Sequence, residues 1–394
     1  MRKDKNPFEP GAGTRPPELA GRELILEDAE AAIVRTASGR PLRGQVFYGL
    51  RGVGKTVLLR LVSEIATNNR GVVADLEAPD NANLAETLAP ALYKITLELS
   101  RIAKAKDTYH AVANAVQAFV SKLKIKIGDL ELGVEKPNDD ALTGDLGTDL
   151  STIFEKLGEL AKAKERVIVI ALDEIQNLPD DDLSILIAAI HHTNQKALPI
   201  GLFGAGLPQV LAKAGKAKSY SERLFQFAEI GALPAKAAAR AIREPIRKAG
   251  ASIDDDAVDY IVEQSRGYPY FLQEWGLRSW NQAADSPISR NDVIVAEDLT
   301  IQSLDRGFFQ VRFRQLTDAE KDYLRAMAEL GPGPHQSGEI AKVLGKQAKQ
   351  VGFARQRVIA KGMAYGEGRG ATYFTVPLFD EFMRREMPDF KPIA

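Results

Sequence analysis

Five short apolar segments, separated by longer stretches of mixed polarity, mark the first 230 residues of the chain. Segments that are apolar at nearly every position are typical of strands buried on both faces of a parallel sheet. The stretches between them have the helical spacing of apolar residues. Strands that alternate with helices predict an α/β fold, in which helices cover both faces of a parallel sheet. The predicted strands are 45–48, 72–76, 166–172, 199–204 and 225–230.

The pattern changes twice in the rest of the chain, at residue 233 and near residue 309. Between these points it is helical throughout, and a further compact unit follows. Within the α/β part, residues 106–148 are predicted to be an insertion. Two alternating segments in it, 123–127 and 130–134, flank Gly128-Asp129 and predict a β-hairpin. The expected organisation is a Pro- and Gly-rich extended arm 1–20, a core 21–232, a helical lid 233–308 and a C-terminal domain 309–394.

The strongest chemical motif lies between the first predicted strand and the helix after it. Segment 49–56 matches G-x-x-x-x-G-K-[ST], a P-loop whose main-chain N–H groups wrap a polyphosphate at the N-terminus of a helix. Lys55 is expected to reach the β- and γ-phosphates of ATP, and the hydroxyl of Thr56 to ligate Mg²⁺. The alternative is a glycine turn that fits the pattern by chance. The predicted nucleotide contacts are Gly49, Leu50, Arg51, Gly52, Val53, Gly54, Lys55, Thr56 and Val57.

A second motif ends the third apolar segment. The run 166–172 is followed by Asp173-Glu174, and open α/β sheets bind their ligands at the carboxyl ends of the strands. Asp173 is predicted to hold Mg²⁺ through water, as a Walker B aspartate does. Glu174 is predicted to polarise the attacking water, with Lys55 assisting the same reaction. The alternative is that both acids cap the strand and face solvent.

Composition narrows the classes of function. The 394 residues carry a net charge of −1, which neither favours nor excludes a polyanionic partner. The chain has no cysteine, which excludes disulfides, thiolate zinc sites and cysteine nucleophiles and fits a reducing cytoplasm. The four histidines show no metal-ligand spacing. Because the sequence shows neither a signal-peptide pattern nor an apolar run of membrane-spanning length, we expect a cytoplasmic protein without a membrane partner.

On these two motifs the chain resembles bacterial AAA+ ATPases with a C-terminal winged helix, of the kind related to origin-recognition initiators and to STAND signalling ATPases. The resemblance covers nearly the whole chain and implies ATP and Mg²⁺ as cofactors. It places Gly21 and Arg22 beside the adenine. It also makes Arg223 an arginine finger that contacts the γ-phosphate bound by a neighbouring subunit, which implies self-association. The alternative for Arg223 is a surface ion pair.

Two positions depart from the pattern of that family. The strand after the acidic pair ends in Gly204-Ala205-Gly206, where the family has a polar sensor residue. Tyr270 stands where the second-sensor arginine is expected, with Arg266 as a nearby substitute. Tyr268 and Tyr270 either stack near the base or pack the helical lid, and Pro269 is a further predicted nucleotide contact. These departures leave nucleotide binding unaffected and argue against fast hydrolysis.

The C-terminal domain has the element order of a winged helix-turn-helix. Three predicted helices are followed by a glycine-tipped hairpin that includes strand 371–376, and in that motif the last helix enters the major groove of DNA. Basic residues outnumber acidic ones between positions 341 and 370. The alternative is that this domain packs against the ATPase core or binds protein. The predicted DNA contacts are Lys346, Lys349, Arg355, Arg357 and Arg369.

The sequence therefore predicts an ATP-binding and ATP-hydrolysing switch. ATP and Mg²⁺ are expected between core and lid, and the nucleotide state is expected to re-aim a winged helix that contacts double-stranded DNA. A rival interpretation is a slow-turnover signalling or scaffold ATPase whose winged helix binds protein. A defence or mobile-element ATPase is a third interpretation, which the sequence does not separate from the other two.

Overall fold

The chain forms two compact units, which we call the sheet unit and the helical unit. The computed structural model describes residues 1–11, 13–37, 40–41, 43–101, 106–122, 142–367 and 370–392. The predicted hairpin 123–134 and Arg369 lie outside these residues. The sheet unit consists of Glu23–Tyr48 and Lys55–Glu229, and the helical unit of Met1–Arg22, Gly49–Gly54 and the chain from Ile230 onwards.

A five-stranded parallel sheet is the centre of the sheet unit. Its strands are β1 (Gly44–Tyr48), β2 (Gly71–Glu77), β3 (Val167–Asp173), β4 (Ile200–Gly206) and β5 (Phe225–Glu229). They follow the order β2-β3-β4-β1-β5, and every pairing is parallel, which confirms the predicted α/β fold. Tyr48 aligns with Gly206 and Leu172 with Gly204, so the carboxyl ends of β1, β3 and β4 share one edge of the sheet.

Helices pack on this sheet because the strands are apolar on both sides. Every residue of β3 and of β4 is buried. Leu92, Val116 and Ile153, from three different helices, are fully buried in the same core. The described helices of the sheet unit are α1 (Glu23–Ala37), α2 (Lys55–Asn68), α3 (Leu84–Arg101), α4 (Lys106–Lys122), α5 (Leu146–Ala163), α6 (Asp180–Gln195), α7 (Val210–Ala217) and α8 (Ser221–Leu224).

Helix α4 was not predicted from the sequence. It lies within the stretch that the sequence pattern marks as an insertion, and its apolar face packs into the core of the sheet unit. Three of the residues on that face, Ala113, Ala115 and Ala118, are alanines with no exposed surface. Alanine favours a helix but gives a weak hydrophobic periodicity, so the pattern alone does not reveal this element.

The helical unit combines nine described α-helices with a small antiparallel sheet. The sheet has the order β6-β8-β7, with strands β6 (His335–Gln336), β7 (Ala364–Glu367) and β8 (Ala371–Phe374). Across all the described residues, none of the helices has the length and apolar character needed to cross a membrane. The helices are α9 (Ala235–Lys248), α10 (Asp255–Ser265), α11 (Pro269–Gln282), α12 (Arg290–Leu304), α13 (Gln310–Phe313), α14 (Asp318–Glu329), α15 (Ser337–Val343), α16 (Ala348–Ala360) and α17 (Phe379–Glu386).

One aromatic cluster connects the early and late helices of this unit. The π-helical turn Asp305–Phe309 joins α12 to α13 and carries Phe309, which is 1% exposed. Its ring lies 6.0 Å from that of Phe271 in α11 and 5.2 Å from that of Phe382 in α17. The boundary that the sequence pattern suggests near residue 309 therefore falls inside a continuous core, and the helices on either side of it are packed together.

The sequence Thr317-x-x-Glu320 has the spacing of a capping box and predicts a helix start, and α14 begins there. The carboxylate of Glu320 accepts the main-chain N–H of Thr317 at 2.8 Å. Tyr323, Leu324 and Met327 are fully buried on one face of the helix, as their spacing predicts. Helical spacing predicts that Leu330 shares this face, but this prediction is wrong, because Leu330 is the C-cap residue and is 39% exposed.

Candidate nucleotide-binding site

The P-loop connects the two central elements of the predicted site. Strand β1 ends at Tyr48 and α2 begins at Lys55. Gly52 and Gly54 have φ values of +81° and +92°, a backbone region that residues other than glycine rarely adopt. The first turn of α2 contains no acidic residue, so no side chain there neutralises the positive end of the helix dipole. This start of α2 suits an anionic ligand.

Thr56 and Asp173 meet directly in the sheet unit. The hydroxyl of Thr56 donates a hydrogen bond to Oδ2 of Asp173, with 2.6 Å between the oxygens. The other carboxylate oxygen, Oδ1, accepts the main-chain N–H of Glu174 at 2.8 Å. Asp173 is the last residue of β3, so an interior strand of the sheet places it beside Thr56.

This pair fits a magnesium ion by the chemistry of its donors. A hydroxyl and a carboxylate are hard oxygen ligands, which Mg²⁺ prefers. Within the described part of the chain, no cluster of three or more His, Cys, Asp or Glu residues is placed to hold a metal. Mg²⁺ commonly keeps several waters and takes further ligands from phosphates, so one hydroxyl and one carboxylate suffice for such a site.

Glu174 follows immediately and is held by a residue that the sequence did not single out. Its main chain is left-handed, with φ 50° and ψ 36°, and it caps the 3₁₀ turn Ile175–Asn177. The side-chain amide Nε2 of Gln176 donates a hydrogen bond to Oε2 of Glu174. Oε1 of the same amide accepts the main-chain N–H of Leu207, just beyond β4, at 3.0 Å. The buried Gln176 thus bridges Glu174 to the neighbouring strand.

The first six P-loop residues, Gly49–Gly54, make their described contacts within the helical unit. The N–H of Arg51 donates to the main-chain oxygen of Thr375 at 3.0 Å. The main-chain oxygen of Gly52 accepts the N–H of Tyr270 at 3.3 Å. A Cβ atom added to Gly52 would lie 3.5 Å from the ring of Phe308. The loop is therefore attached to α11, to the π-helical turn and to the segment after β8.

Tyr270 packs within the helical unit rather than standing in for a charged sensor. Its ring stacks on that of Phe308 with 4.8 Å between centroids. Burial raises the pKa of its hydroxyl, and the charge of Glu274 raises it further. The predicted substitute for the sensor, Arg266, forms an ion pair with Glu381 of α17. In the helical unit, both side chains are engaged in packing or pairing.

The other residues predicted to contact nucleotide lie near the start of α9 and α11. A Cβ on Gly21 would come within 2.9 Å of Ala237, and the guanidinium of Arg22 donates to the main-chain oxygen of Gly231. Tyr268 is the N-cap residue of α11 and Pro269 its first residue. Burial raises the pKa of the Tyr268 hydroxyl. Nucleotide contact by these residues stays a prediction.

Arg223 lies in the short helix α8 with an exposed side chain. Among the residues that the structure describes, its guanidinium forms no ion pair, so the surface pair considered as an alternative is not seen within this chain.

The five residues predicted to contact DNA differ in their exposure and in the hydrogen bonds that they make within the chain. Lys346 and Lys349 are exposed. Arg355 donates to Oγ1 of Thr372 at 2.9 Å and to the main-chain oxygen of Ala371 at 3.0 Å. Arg357 donates to the buried carboxylate of Glu320 at 2.6 Å. Arg369 lies outside the described residues. Arg355 and Arg357 thus support the local fold, a role that the sequence pattern does not predict.

Comparison with known proteins gives two family matches. Residues 18–203 match the family model of the AAA ATPase domain. Residues 306–383 match a model described as a domain of unknown function (DUF8462). No match was found among curated proteins. The AAA ATPase match includes the P-loop and the Asp173-Glu174 pair.

Three solved structures are examples of similar folds. The Walker-type ATPase PABY2304 of Pyrococcus abyssi is 16% identical with a TM-score of 0.58, over 96% of this chain and 99% of that chain. The Aeropyrum pernix Orc1 protein in complex with DNA is 17% identical with a TM-score of 0.44, over 94% of each chain. The Thermotoga maritima RuvB Holliday junction branch migration motor is 16% identical with a TM-score of 0.44, over 94% of this chain and 95% of that one.

The chain therefore has an α/β core with a parallel sheet and a P-loop segment, a fold similar to that of the Walker-type ATPase PABY2304, followed by a helical C-terminal region. The AAA ATPase domain match and the motif geometry together support a nucleotide-dependent ATPase.

Proposed function

We propose that the chain binds ATP with Mg²⁺ at its P-loop and hydrolyses it slowly, using Lys55, Thr56, Asp173 and Glu174. The observation that carries this proposal is the 2.6 Å hydrogen bond between Thr56 and Asp173. It joins the first turn of the helix after the P-loop to the end of the interior strand β3, the two elements that must meet for a nucleotide–metal site. If Asp173 merely capped β3, it would have no reason to pair with the P-loop threonine.

Each side chain has a distinct task in this proposal. The Lys55 ammonium balances charge on the β- and γ-phosphates. Thr56 would supply a hydroxyl oxygen for Mg²⁺ and Asp173 would hold the ion through water; the bound ion would neutralise charge on the phosphates. Glu174 accepts a proton from the attacking water, a contribution of about 10²–10⁴-fold in general acid–base catalysis.

The direct test of nucleotide binding is the Lys55→Ala variant. Titration calorimetry with ATP and Mg²⁺ is expected to show at least a tenfold loss of affinity, because the lone ammonium contact to the phosphates is removed. Lys236→Ala, an exposed lysine of α9, is the matched control and should bind ATP as the parent does. Equal affinity of the Lys55→Ala variant and the parent would contradict the proposal.

The contacts of the P-loop suggest how nucleotide state reaches the C-terminal region. Arg51 and Gly52 hydrogen-bond to Thr375 and Tyr270. A loop conformation that phosphates stabilise would change these two bonds and so bias the helices attached to them. Nucleotide binding shifts the equilibrium between the two loop conformations only as far as its affinities for them differ. We propose this route for the switch.

The favoured output is binding of double-stranded DNA by a winged helix formed by α14, α15, α16 and the β6-β8-β7 sheet. Exposed Lys346 and Lys349 at the start of α16 support it. Lys346→Ala with Lys349→Ala should weaken duplex binding and lower the salt slope by about two, because each phosphate contact contributes roughly 0.9 to that slope. Lys236→Ala is again the control. An unchanged salt slope would remove DNA from the proposal.

A specific observation favours the second candidate, a protein-binding winged helix. Phe353 of α16 is 69% exposed, and the guanidinium of Arg357 lies 5.6 Å from the centre of its ring. Aromatic residues and arginine are enriched at protein interfaces. If Phe353→Ala abolishes capture of a protein partner while duplex binding is absent in the parent, this candidate replaces the first.

A further inference from the structure

Gln176 is buried with both ends of its amide engaged. Only 5% of its surface is exposed. Its Nε2 donates to Oε2 of Glu174, and its Oε1 accepts the N–H of Leu207 at 3.0 Å. A glutamine side chain held at both ends has one orientation, so its contact with Glu174 is fixed rather than occasional.

We propose that Gln176 is a positioning residue for ATP hydrolysis, which fixes the carboxylate of Glu174 and anchors it to the end of β4. This inference rests on the proposed ATPase function. The amide N–H occupies Oε2 of Glu174, which leaves Oε1 to accept the proton of water.

Gly206 provides the space that this arrangement needs. A Cβ atom at position 206 would lie 2.6 Å from Oε1 of Gln176 and 3.1 Å from a methyl carbon of Ile175. No side chain is therefore compatible with the observed position of the amide. The amide of Gln176, from the neighbouring turn, fills the space that a side chain at position 206 would occupy. This explains why the end of β4 carries no polar side chain here.

The turn that carries Gln176 is itself fixed by long-range contacts. The ammonium of Lys213 donates to the main-chain oxygens of Gln176 at 3.0 Å and of Leu178 at 2.8 Å. The amide of Asn177 donates to the main-chain oxygen of Ala78 at 2.9 Å. These bonds connect the turn to α7 and to the end of β2. They fix the main-chain position from which the Gln176 side chain extends.

The step that this orientation serves is the attack of water on the γ-phosphorus. The water oxygen forms a bond to phosphorus while the bond from phosphorus to the β–γ bridging oxygen breaks. The electron pair of the broken bond stays on ADP. One water proton passes to Oε1 of Glu174 and is released afterwards, so ATP and water give ADP, phosphate and a proton. An incorrectly oriented carboxylate slows this step without changing ATP affinity.

The Gln176→Glu variant separates the two ends of the amide. It keeps an acceptor for Leu207 but presents an oxygen instead of an N–H to Glu174. At neutral pH, two carboxylates repel each other, and kcat should fall about tenfold with KM for ATP unchanged.

Two further variants keep the test decisive. Gly206→Ala should lower kcat about as much as Gln176→Glu because it displaces the amide. Gly215→Ala in α7, where an added Cβ meets no atom within 4 Å, should match the parent. A kcat equal to that of the parent in both Gln176→Glu and Gly206→Ala would overturn the inference. A fall in kcat that is matched by an equal rise in KM and by a loss of thermal stability would also overturn it. If Glu174→Gln also keeps the parental rate, the proposed ATPase function fails instead.

Discussion

The two units treat buried charge differently. In the helical unit the buried carboxylate of Glu320 receives the ammonium of Lys361 and the guanidinium of Arg357, both at 2.6 Å. In the sheet unit the buried carboxylate of Asp173 accepts hydrogen bonds from a hydroxyl and an N–H, both neutral. A carboxylate matched by two cations supports the fold, whereas one held by neutral donors keeps its capacity to bind a cation. Burial of a carboxylate therefore does not by itself identify a cation-binding site. The charge of its hydrogen-bond partners distinguishes Asp173 from Glu320.

The same comparison explains why the winged-helix arginines are weaker DNA candidates than the lysines. Arg355 and Arg357 lie on α16, and each is paired with a group of its own unit. Releasing either to a phosphate would remove one hydrogen-bond donor from its present partner. Lys346 and Lys349 are exposed, so contact with DNA disrupts less of the fold.

The largest expected effect that would test the comparison is on stability. Burial tends to raise the pKa of Glu320, but the Lys361 ammonium, the Thr317 N–H and the Arg357 guanidinium outweigh it, so its pKa lies below the ordinary value. Glu320→Gln should lower the free energy of unfolding by about 2 kcal/mol at neutral pH, less than a fully enclosed pair because both cations reach solvent. Denaturant unfolding measures this change.

The pH dependence of the Glu320 effect has a definite sign. A carboxyl group with a lowered folded-state pKa contributes stability above its unfolded pKa and loses it as the pH falls through the folded pKa. The gap between parent and Glu320→Gln should therefore close in acid. Asp318→Asn, whose carboxylate is fully exposed on the same helix, serves as the control and should change stability by less than about 1 kcal/mol. A gap that widens in acid would refute the assignment of Glu320.

A smaller effect is expected from the exposed arginine of the sheet unit. If Arg223 completes the site of a second copy, ATP turnover per molecule should rise with protein concentration. Arg223→Ala should abolish that rise and lower the plateau at least tenfold, because a cation opposite the γ-phosphate is lost. Lys216→Ala, an exposed residue of α7, is the control. Turnover that does not depend on concentration in the parent would count against the arginine-finger role.

The smallest effect should distinguish a supporting arginine from a DNA contact. Arg357→Ala removes one of two cations from Glu320 and should cost roughly 1 kcal/mol of stability. Duplex binding should stay within about twofold of the parent, whereas Lys349→Ala should weaken it more. Filter binding at two salt concentrations compares the variants. A larger loss of binding for Arg357→Ala than for Lys349→Ala would reverse this assignment.

The sequence predicts the parts of this molecule that depend on local pattern. The apolar run of β3, the P-loop between β1 and α2, and the Asp173-Glu174 pair at the strand end are all placed correctly along the chain. Each is recognised within about ten consecutive residues, and the parallel sheet follows because the strands alternate with helices. The capping box of α14 is a prediction of the same kind.

The parts that the sequence does not predict depend on partners far away in the chain. Gln176 lies in a short turn with no periodicity, and its partner Leu207 is 31 residues away. Arg357 resembles any exposed helical arginine until Glu320, 37 residues earlier, is placed beside it. Such contacts are set by tertiary packing, which residue spacing does not encode.

The central claim is that the P-loop helix and the acidic end of β3 form one ATPase site. Its most direct test is steady-state ATP turnover by Glu174→Gln, measured beside ATP affinity in the same preparation. The account predicts a fall in turnover of about a hundredfold or more with affinity within about twofold, since the proton acceptor is lost while Lys55, Thr56 and Asp173 remain. Turnover at the parental rate with ATP bound would contradict it.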